Sequence, residues 1–307
     1  MPAKEVNEKQ AWLPRGCTRL DNDWGTAPAF AVEQGACTLV FLPGVPREMK
    51  ALWAHRVLPL VSARFDLKPG LLVTLLTTGI GESNLQERIG HYTEPGVVLS
   101  YRTRLPENHI KLRFAPGTST ERIEAVLAAM HERIGSPVFA VERPGQEGGS
   151  LPATVASLLT QAEQTLSVAE SCTGGLVASQ LTTLPGASAW FIEGAVTYAN
   201  AAKVRTLGVS QATLDEHGAV SQPVAEQMAA GMRERTGTTW ALATTGIAGP
   251  GGGTAAKPVG TVHIALAGPD GRNHHRQVHL GGDRTRIQAL TAGAALDLLR
   301  RALTDLL

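Results

Sequence analysis

Ala169-Glu170-Ser171-Cys172-Thr173-Gly174-Gly175 carries the strongest chemical signal in the chain. An apolar run, residues 165–169, ends there, and a helix is expected to begin at Thr173. A hydroxyl at such a junction sits in the positive field of the first helical N–H groups, beside backbone donors able to hold an oxyanion. The paired glycines let a substrate approach the backbone. Ser171 is therefore a candidate nucleophile, although Ser and Thr before a helix are ordinarily N-caps. Cys172 is a rival, since thiols at helix starts are activated, but only one of two adjacent side chains can face a pocket.

A serine nucleophile needs a base, and no G-x-S-x-G elbow is present. Val196 to Lys203 is a second strand end running into a helix. Tyr198 falls at the carboxyl end of its strand, where α/β sheets build sites. Lys203 lies about a turn further on, and burial could depress its pKa enough to take a proton from serine. Otherwise Lys203 is a solvated helix lysine and Tyr198 a sheet-edge aromatic. Glu170 bears on this choice. A carboxylate beside Lys203 would raise the lysine pKa, so Glu170 should turn away, onto backbone N–H groups or a substrate ribose.

The third stretch runs from Thr244 through Thr245, Gly246 and Ile247 to Gly253. Its glycines could expose N–H groups to a phosphate, or form only a flexible turn. It is neither a Walker loop nor a dinucleotide fingerprint, because no Gly-Lys-Ser/Thr follows and the next element reads as a strand. Asp283 is the natural cap of the last helix, and Arg284 beside it could fork onto a phosphate or be a surface residue. His263, His274, His275 and His279 crowd a hairpin, but no carboxylate pattern accompanies them, so no metal is expected. His217 to Ser221 resembles a His/Ser pair, yet Ser221 precedes Gln222-Pro223 and reads as a cap.

These stretches need a scaffold, and three segments supply it. Residues 151–307 alternate as helix 154–163, strand 165–169, helix 173–183, strand 190–198, helix 199–207, helix 223–235, strands 240–244 and 259–267, edge strand 276–280 and a last helix running almost to residue 307. That order gives a layered α/β/α domain, 150–307. Residues 66–145 read as a small α+β module, with strands 71–77, 97–101 and 109–114 and helices 82–89 and 119–134. Residues 142–150 read as a linker. Residues 1–65 hold a buried-strand candidate, 37–42, and one helix, 47–61, too little to close a sheet, so they read as a partial α/β remnant of a larger domain. Thr-Thr-Gly-Ile occurs at Thr77 and at Thr244 with unmatched flanks, which reads as coincidence.

Composition excludes several classes. Lys+Arg 28 against Asp+Glu 27 gives a net charge of +1 over 307 residues, without the basic footprint of a nucleic-acid or membrane binder. No apolar run is long enough for a bilayer span. Cys17, Cys37 and Cys172 are few, odd in number and far apart, which argues for a reducing compartment and against a disulfide framework.

Taken together, Ala169–Gly175, Val196–Lys203, His217–Ser221, Thr245–Gly253 and Lys257-Pro258-Val259-Gly260-Thr261-Val262 resemble the CinA family. The resemblance implies a nicotinamide-mononucleotide amidase with Ser171 as nucleophile assisted by Lys203 and Tyr198. Substrate contacts are expected from Glu170, Thr173, Gly174, Gly175, Thr245, Gly246 and Arg284, with no metal and no cofactor for this reaction. Asn7-Glu8-Lys9-Gln10-Ala11, Asp21-Asn22 with Gly25-Thr26-Ala27-Pro28, and Leu42 to Met49 look like the end of the molybdopterin-binding-like domain of long CinA proteins. In the family that domain is associated with ADP-ribose pyrophosphatase activity on a divalent metal. Its opening βαβ part is expected to be missing here, so that activity, with its metal, is the alternative function. A non-catalytic role related to competence or DNA damage is the other. The expected partners are a small-molecule nucleotide substrate and further copies of the chain in a homo-oligomer, with no direct nucleic acid and no membrane. The expected compartment is the cytoplasm.

Overall fold

The computed structural model describes residues 9, 12–146 and 149–307. Of the stretch 7–11 only Lys9 is described, and residues 147 and 148 of the expected linker also lie outside the described residues. The chain divides into two compact units, Met1–Pro69 and Gly70–Leu307.

The first unit holds an antiparallel sheet of β1 (Thr18–Leu20), β2 (Ala29–Gln34) and β3 (Cys37–Phe41), in that order. β3 is the strand expected to be buried; instead it is an edge, with Leu39 42% and Phe41 48% exposed. A five-residue apolar run looks the same on an edge as in a core, and β1 and β2 had no legible periodicity. The expected single helix is α1 (Pro46–Leu52) and α2 (Leu58–Arg64) joined by a π-turn, Trp53–Val57. Pro59 has no N–H to give to the preceding turn, which accounts for the irregularity just ahead of it.

The second unit contains two sheets. The smaller is β5–β6–β4–β7, wholly antiparallel, built from β4 (Leu71–Thr78), β5 (Val97–Arg104), β6 (Glu107–Phe114) and β7 (Val138–Glu142). Its core is shared with α3 (Glu82–Ile89) and α4 (Thr120–Ile134). β7 takes residues that the sequence reading left partly to a linker.

The larger sheet runs β12–β11–β10–β8–β9. Its elements, in chain order, are α5 (Leu151–Gln161), β8 (Leu166–Glu170), α6 (Leu176–Thr182), β9 (Phe191–Val196), α7 (Asn200–Leu207), α8 (Gln211–His217), α9 (Gln222–Thr236), β10 (Trp240–Gly246), β11 (Thr261–Ala267), β12 (His274–His279) and α10 (Arg284–Leu303). β10, β8 and β9 are parallel; β11 and β12 are antiparallel. Strand alternation sorts the two faces. Val168, Trp240, Leu242, Val262, Ile264 and Leu266 join the core shared with α5, α6 and α10. Ala169, Ala241, Ala243, Ala265 and Ala267 face α9, and their small side chains let that helix lie close. This is the layered α/β/α arrangement.

Three local expectations need correction. α6 starts at Leu176 rather than Thr173, because Gly174 and Gly175 take φ of +65° and +98°, which helices do not contain. Ser221 holds the N-cap position of α9, but its hydroxyl donates to Gly218 O instead of accepting a helix N–H. α8 was not foreseen. Among the described residues no helix is long and apolar enough to cross a membrane.

Candidate functional site

Three strand ends converge because β9, β8 and β10 are parallel neighbours, so their carboxyl ends lie on one edge of the sheet. The Ser171 N–H donates to Thr244 O at 3.0 Å, and the Thr197 N–H donates to Glu170 O at 2.8 Å. These two bonds continue the ladders past the strands and fix the turns after β8 and β9 against each other. Between them opens a pocket of about 270 Å³ lined by Ser171, Tyr198, Lys203, Thr245, Gly246 and Arg284 among others.

Lys203 is 1% exposed, on the first turns of α7. Its Nζ lies 3.0 Å from Ser171 Oγ, 2.8 Å from Thr197 O and 3.2 Å from Tyr198 O. Two carbonyls can only accept, so they take two N–H bonds from the amine. The third direction meets a hydroxyl, which can give or take. An ammonium donates to all three, whereas a neutral amine gives two protons to the carbonyls and turns its lone pair to the serine O–H. Burial pushes the Lys203 pKa below its ordinary value, opposed only by a coulombic influence of Cys172. Burial pushes the Cys172 thiol itself up to about 12, so near neutral pH it is neither a thiolate nor a counter-charge. The thiol thus lacks the activation expected at a helix start, and the Lys203 amine meets Ser171 Oγ instead.

Glu170 is 1% exposed and turned away from the lysine. Its carboxylate accepts from the N–H groups of Gly175 (3.0 Å), Val177 (3.1 Å) and Ala178 (2.8 Å). It thus fills the start of α6 with the chain's own anion, the sign a helix N-terminus favours. Of the two destinations expected for Glu170, backbone N–H groups or a substrate ribose, the structure shows the first. Gly174 N–H donates to Ser171 O, Gly175 N–H to Glu170, and Thr173 Oγ1 pairs with Thr244 Oγ1 at 2.8 Å. Glu170, Thr173, Gly174 and Gly175 hold the Ser171 turn and lie outside the pocket lining. The N–H groups at the start of α6 are thus taken by Glu170.

Thr245 and Gly246 do line the pocket. Thr245 Oγ1 donates to Ala219 O at 2.7 Å. A Cβ on Gly246 would stand 2.6 Å from Val262 Cγ2, so only glycine fits where the turn leaves β10. Arg284 bridges two walls, donating to Gly249 O at 2.9 Å and to Tyr198 Oη at 2.6 Å. Tyr198 therefore enters twice: its carbonyl holds Lys203, and its phenol, on a side chain 56% exposed, is oriented by Arg284.

Sequence reading missed Asn200, Ala219 and Val220, which also line the pocket, and Gln288, whose Nε2 donates to Cys172 O at 2.9 Å. Asn200 was within a stretch already singled out. Ala219 and Val220 were hidden because capping explained Ser221 well enough. Gln288 sits on α10, and nothing in its surroundings along the chain signals the contact. Of the hairpin histidines, His263 Nδ1 and His275 Nε2 share a hydrogen bond of 3.0 Å. Burial, then the neighbouring His275, brings the His263 pKa down to about 4.

Fold and pocket together define a layered α/β domain that carries a buried serine–lysine pair at the carboxyl edge of its parallel strands. The family model for the CinA C-terminal domain matches residues 149–303. The CinA-like protein of Anaeromyxobacter sp. (strain K) is 43% identical over 300 residues, covering 97% of this chain and 72% of its own length. That of Shewanella amazonensis (strain ATCC BAA-1098 / SB2B) is 45% identical over 303 residues, 97% of this chain and 69% of its own. The crystal structure of the competence/damage inducible protein CihA from Agrobacterium tumefaciens is 45% identical, covering 50% of this chain and 93% of that one, with a TM-score of 0.49. The chain belongs to the CinA family.

Proposed function

We propose that residues 150–307 hydrolyse the carboxamide of nicotinamide mononucleotide to the carboxylate, releasing ammonia. The observation that carries this reading is the Lys203 amine, held by two carbonyls with its third direction on Ser171 Oγ. Ser171 Oγ attacks the amide carbon while its proton passes to Lys203. The resulting ammonium keeps its two carbonyl partners and returns the proton to the leaving nitrogen, so ammonia departs and an acyl-serine remains. Water then attacks the acyl carbon and gives its proton to Lys203, which passes it to Ser171 Oγ as the acyl–oxygen bond breaks, freeing nicotinate mononucleotide and restoring the neutral amine. Tyr198, fixed by Arg284, is placed to relay a proton at the pocket mouth. With the start of α6 filled by Glu170, the substrate phosphate falls to Arg284 and the N–H groups of the turn following Gly246. No step uses a metal or a cofactor.

The test is ammonia release from nicotinamide mononucleotide by the purified chain, with and without EDTA. Release should be the same in both, and Ser171→Ala should lower kcat by several powers of ten at unchanged thermal stability. Near-normal turnover in Ser171→Ala would remove the serine from the mechanism. Activity that disappears in EDTA and yields phosphate-ester products would point to the metal-dependent pyrophosphatase instead.

A further inference from the structure

A second cavity, of about 380 Å³, lies between the smaller sheet and α10. The turn after β4, residues 78–82, and the hairpin joining β5 to β6 form one wall. β12 and the first half of α10 form the other. Its volume falls within the range of small-molecule sites, about 300–1,000 Å³.

The walls differ in chemistry. Arg276 and Arg286 project from the β12–α10 side. Among the described residues Arg276 is tied only by a long ion pair, 3.7 Å, to Asp297, a carboxylate that also serves Arg300 and Arg301. Among the described residues no hydrogen bond or ion pair holds the exposed Arg286 guanidinium. Its chain lies across Gly282, φ +117°, where a Cβ would stand 2.3 Å from Arg286 Cδ. The glycine is what leaves that path open. On the facing wall Thr103 Oγ1 is 3.0 Å from Glu82 Oε2 and 2.7 Å from Asn108 Oδ1, and Asn108 Nδ2 donates to Ile80 O at 2.7 Å. The single Thr103 proton serves either acceptor, and the Glu82 carboxylate stands on the wall facing the two guanidinium groups. Leu280 and Leu290 supply apolar surface on the same wall as the arginines.

An anion for the arginines, hydroxyl donors for the carboxylate and a flat apolar part for the leucines describe one class of molecule. We propose that this cleft binds a nucleoside monophosphate. The phosphate pairs with Arg276 and Arg286, the ribose diol donates to Glu82, and the base lies against Leu280 and Leu290. Those base contacts carry no hydrogen bonds, so the site does not select among bases. It is separate from the catalytic pocket, although Arg284 and Arg286 leave the same turn of α10 toward different cavities.

AMP is the probe, titrated calorimetrically into the full chain bearing Ser171→Ala. Binding is expected, unchanged by Arg284→Ala in the other pocket, and weakened at least about tenfold by Arg286→Glu through loss of a charge-assisted phosphate contact. Leu290→Trp, which fills the cavity, should abolish it as well. Arg286→Glu in the otherwise unaltered chain should keep its melting temperature and its ammonia release. Three results would overturn the proposal: no AMP binding, full affinity in both cleft variants, or loss of AMP binding in Arg284→Ala. The cleft variants decide the question even if the chain proves not to be an amidase.

Discussion

Thr-Thr-Gly-Ile ends a strand twice in this chain, at Thr77 in β4 and at Thr244 in β10, and the two ends do different work. Both first threonines spend their hydroxyls on a neighbour, Thr77 on Asn108 O and Thr244 on Thr173 Oγ1. The difference lies in who those neighbours are. β4 is flanked by antiparallel β6 and β7, so the chain beside its carboxyl end is entering strands, and Thr78 N–H meets Pro137 O. β10 is flanked on one side by parallel β8, whose carboxyl end therefore lies beside its own. A strand-to-helix turn arrives there with Ser171, and Thr244 O takes the Ser171 N–H. An identical tetrapeptide becomes a cleft wall in one sheet and part of the proposed catalytic pocket in the other. Strand direction, a tertiary property, makes the difference.

The comparison is tested most severely at Lys203. Lys203→Arg keeps the charge but cannot give up its proton at working pH, so kcat should fall about 10³-fold or more, as for loss of a general base and its nucleophile together. Retained activity would make the lysine an anchor and Tyr198 the likelier base. Because the base must be neutral and burial lowers its pKa, kcat/KM should rise with pH through a midpoint below the ordinary lysine value of 10.5. The same shift has a stability sign. Between the folded and unfolded pKa the unfolded chain binds the extra proton, so stability rises with pH across that window and is lost as pH falls through the folded pKa. Lys203→Met should flatten this slope in pH-resolved melting curves.

Glu170→Ala comes next. It strands three N–H groups at the start of α6, and a loss of about 3 kcal/mol in denaturant unfolding is expected. Glu170→Gln keeps an acceptor and should cost less. A near-neutral Glu170→Ala would mean that the Ser171 turn is held by the sheet alone.

Arg284→Ala removes the bridge between Tyr198 and the glycine turn and the expected phosphate contact. KM should rise by one to two powers of ten, about 1.4–2.8 kcal/mol, with the larger effect on KM than on kcat. An unchanged KM would move the phosphate elsewhere.

The smallest effects come from the matched threonines. Thr77→Val and Thr244→Val each delete one hydrogen bond worth about 1 kcal/mol. Both should lower stability by similar amounts, but only Thr244→Val should also slow ammonia release. Equal loss of activity in both would show the two strand ends to be coupled, contrary to the division drawn above.

The sequence by itself determined a good deal. Alternation of apolar runs with helical stretches in residues 150–307 gave the layered α/β domain, because burial on two faces leaves its period in the chain. Ser171 and Lys203 were singled out by their strand-to-helix positions and joined by the resemblance to the CinA family, and the need for Glu170 to turn away followed from the chemistry a lysine base requires. Asp283 was legible as a cap because capping is local, and its carboxylate does accept from Arg286 N–H. Other features were decided only by tertiary structure. β3 is an edge rather than a buried strand because edge and core differ in neighbours, not in residues. Glu170 rather than a substrate anion fills the start of α6, since two positive-φ glycines turn the chain back over that carboxylate. Arg284 reaches Tyr198 across 86 residues of chain, and Gln288 reaches Cys172 across 116. Contacts at such separations depend on the order in which strands assemble, and strand order leaves no periodic trace in the sequence.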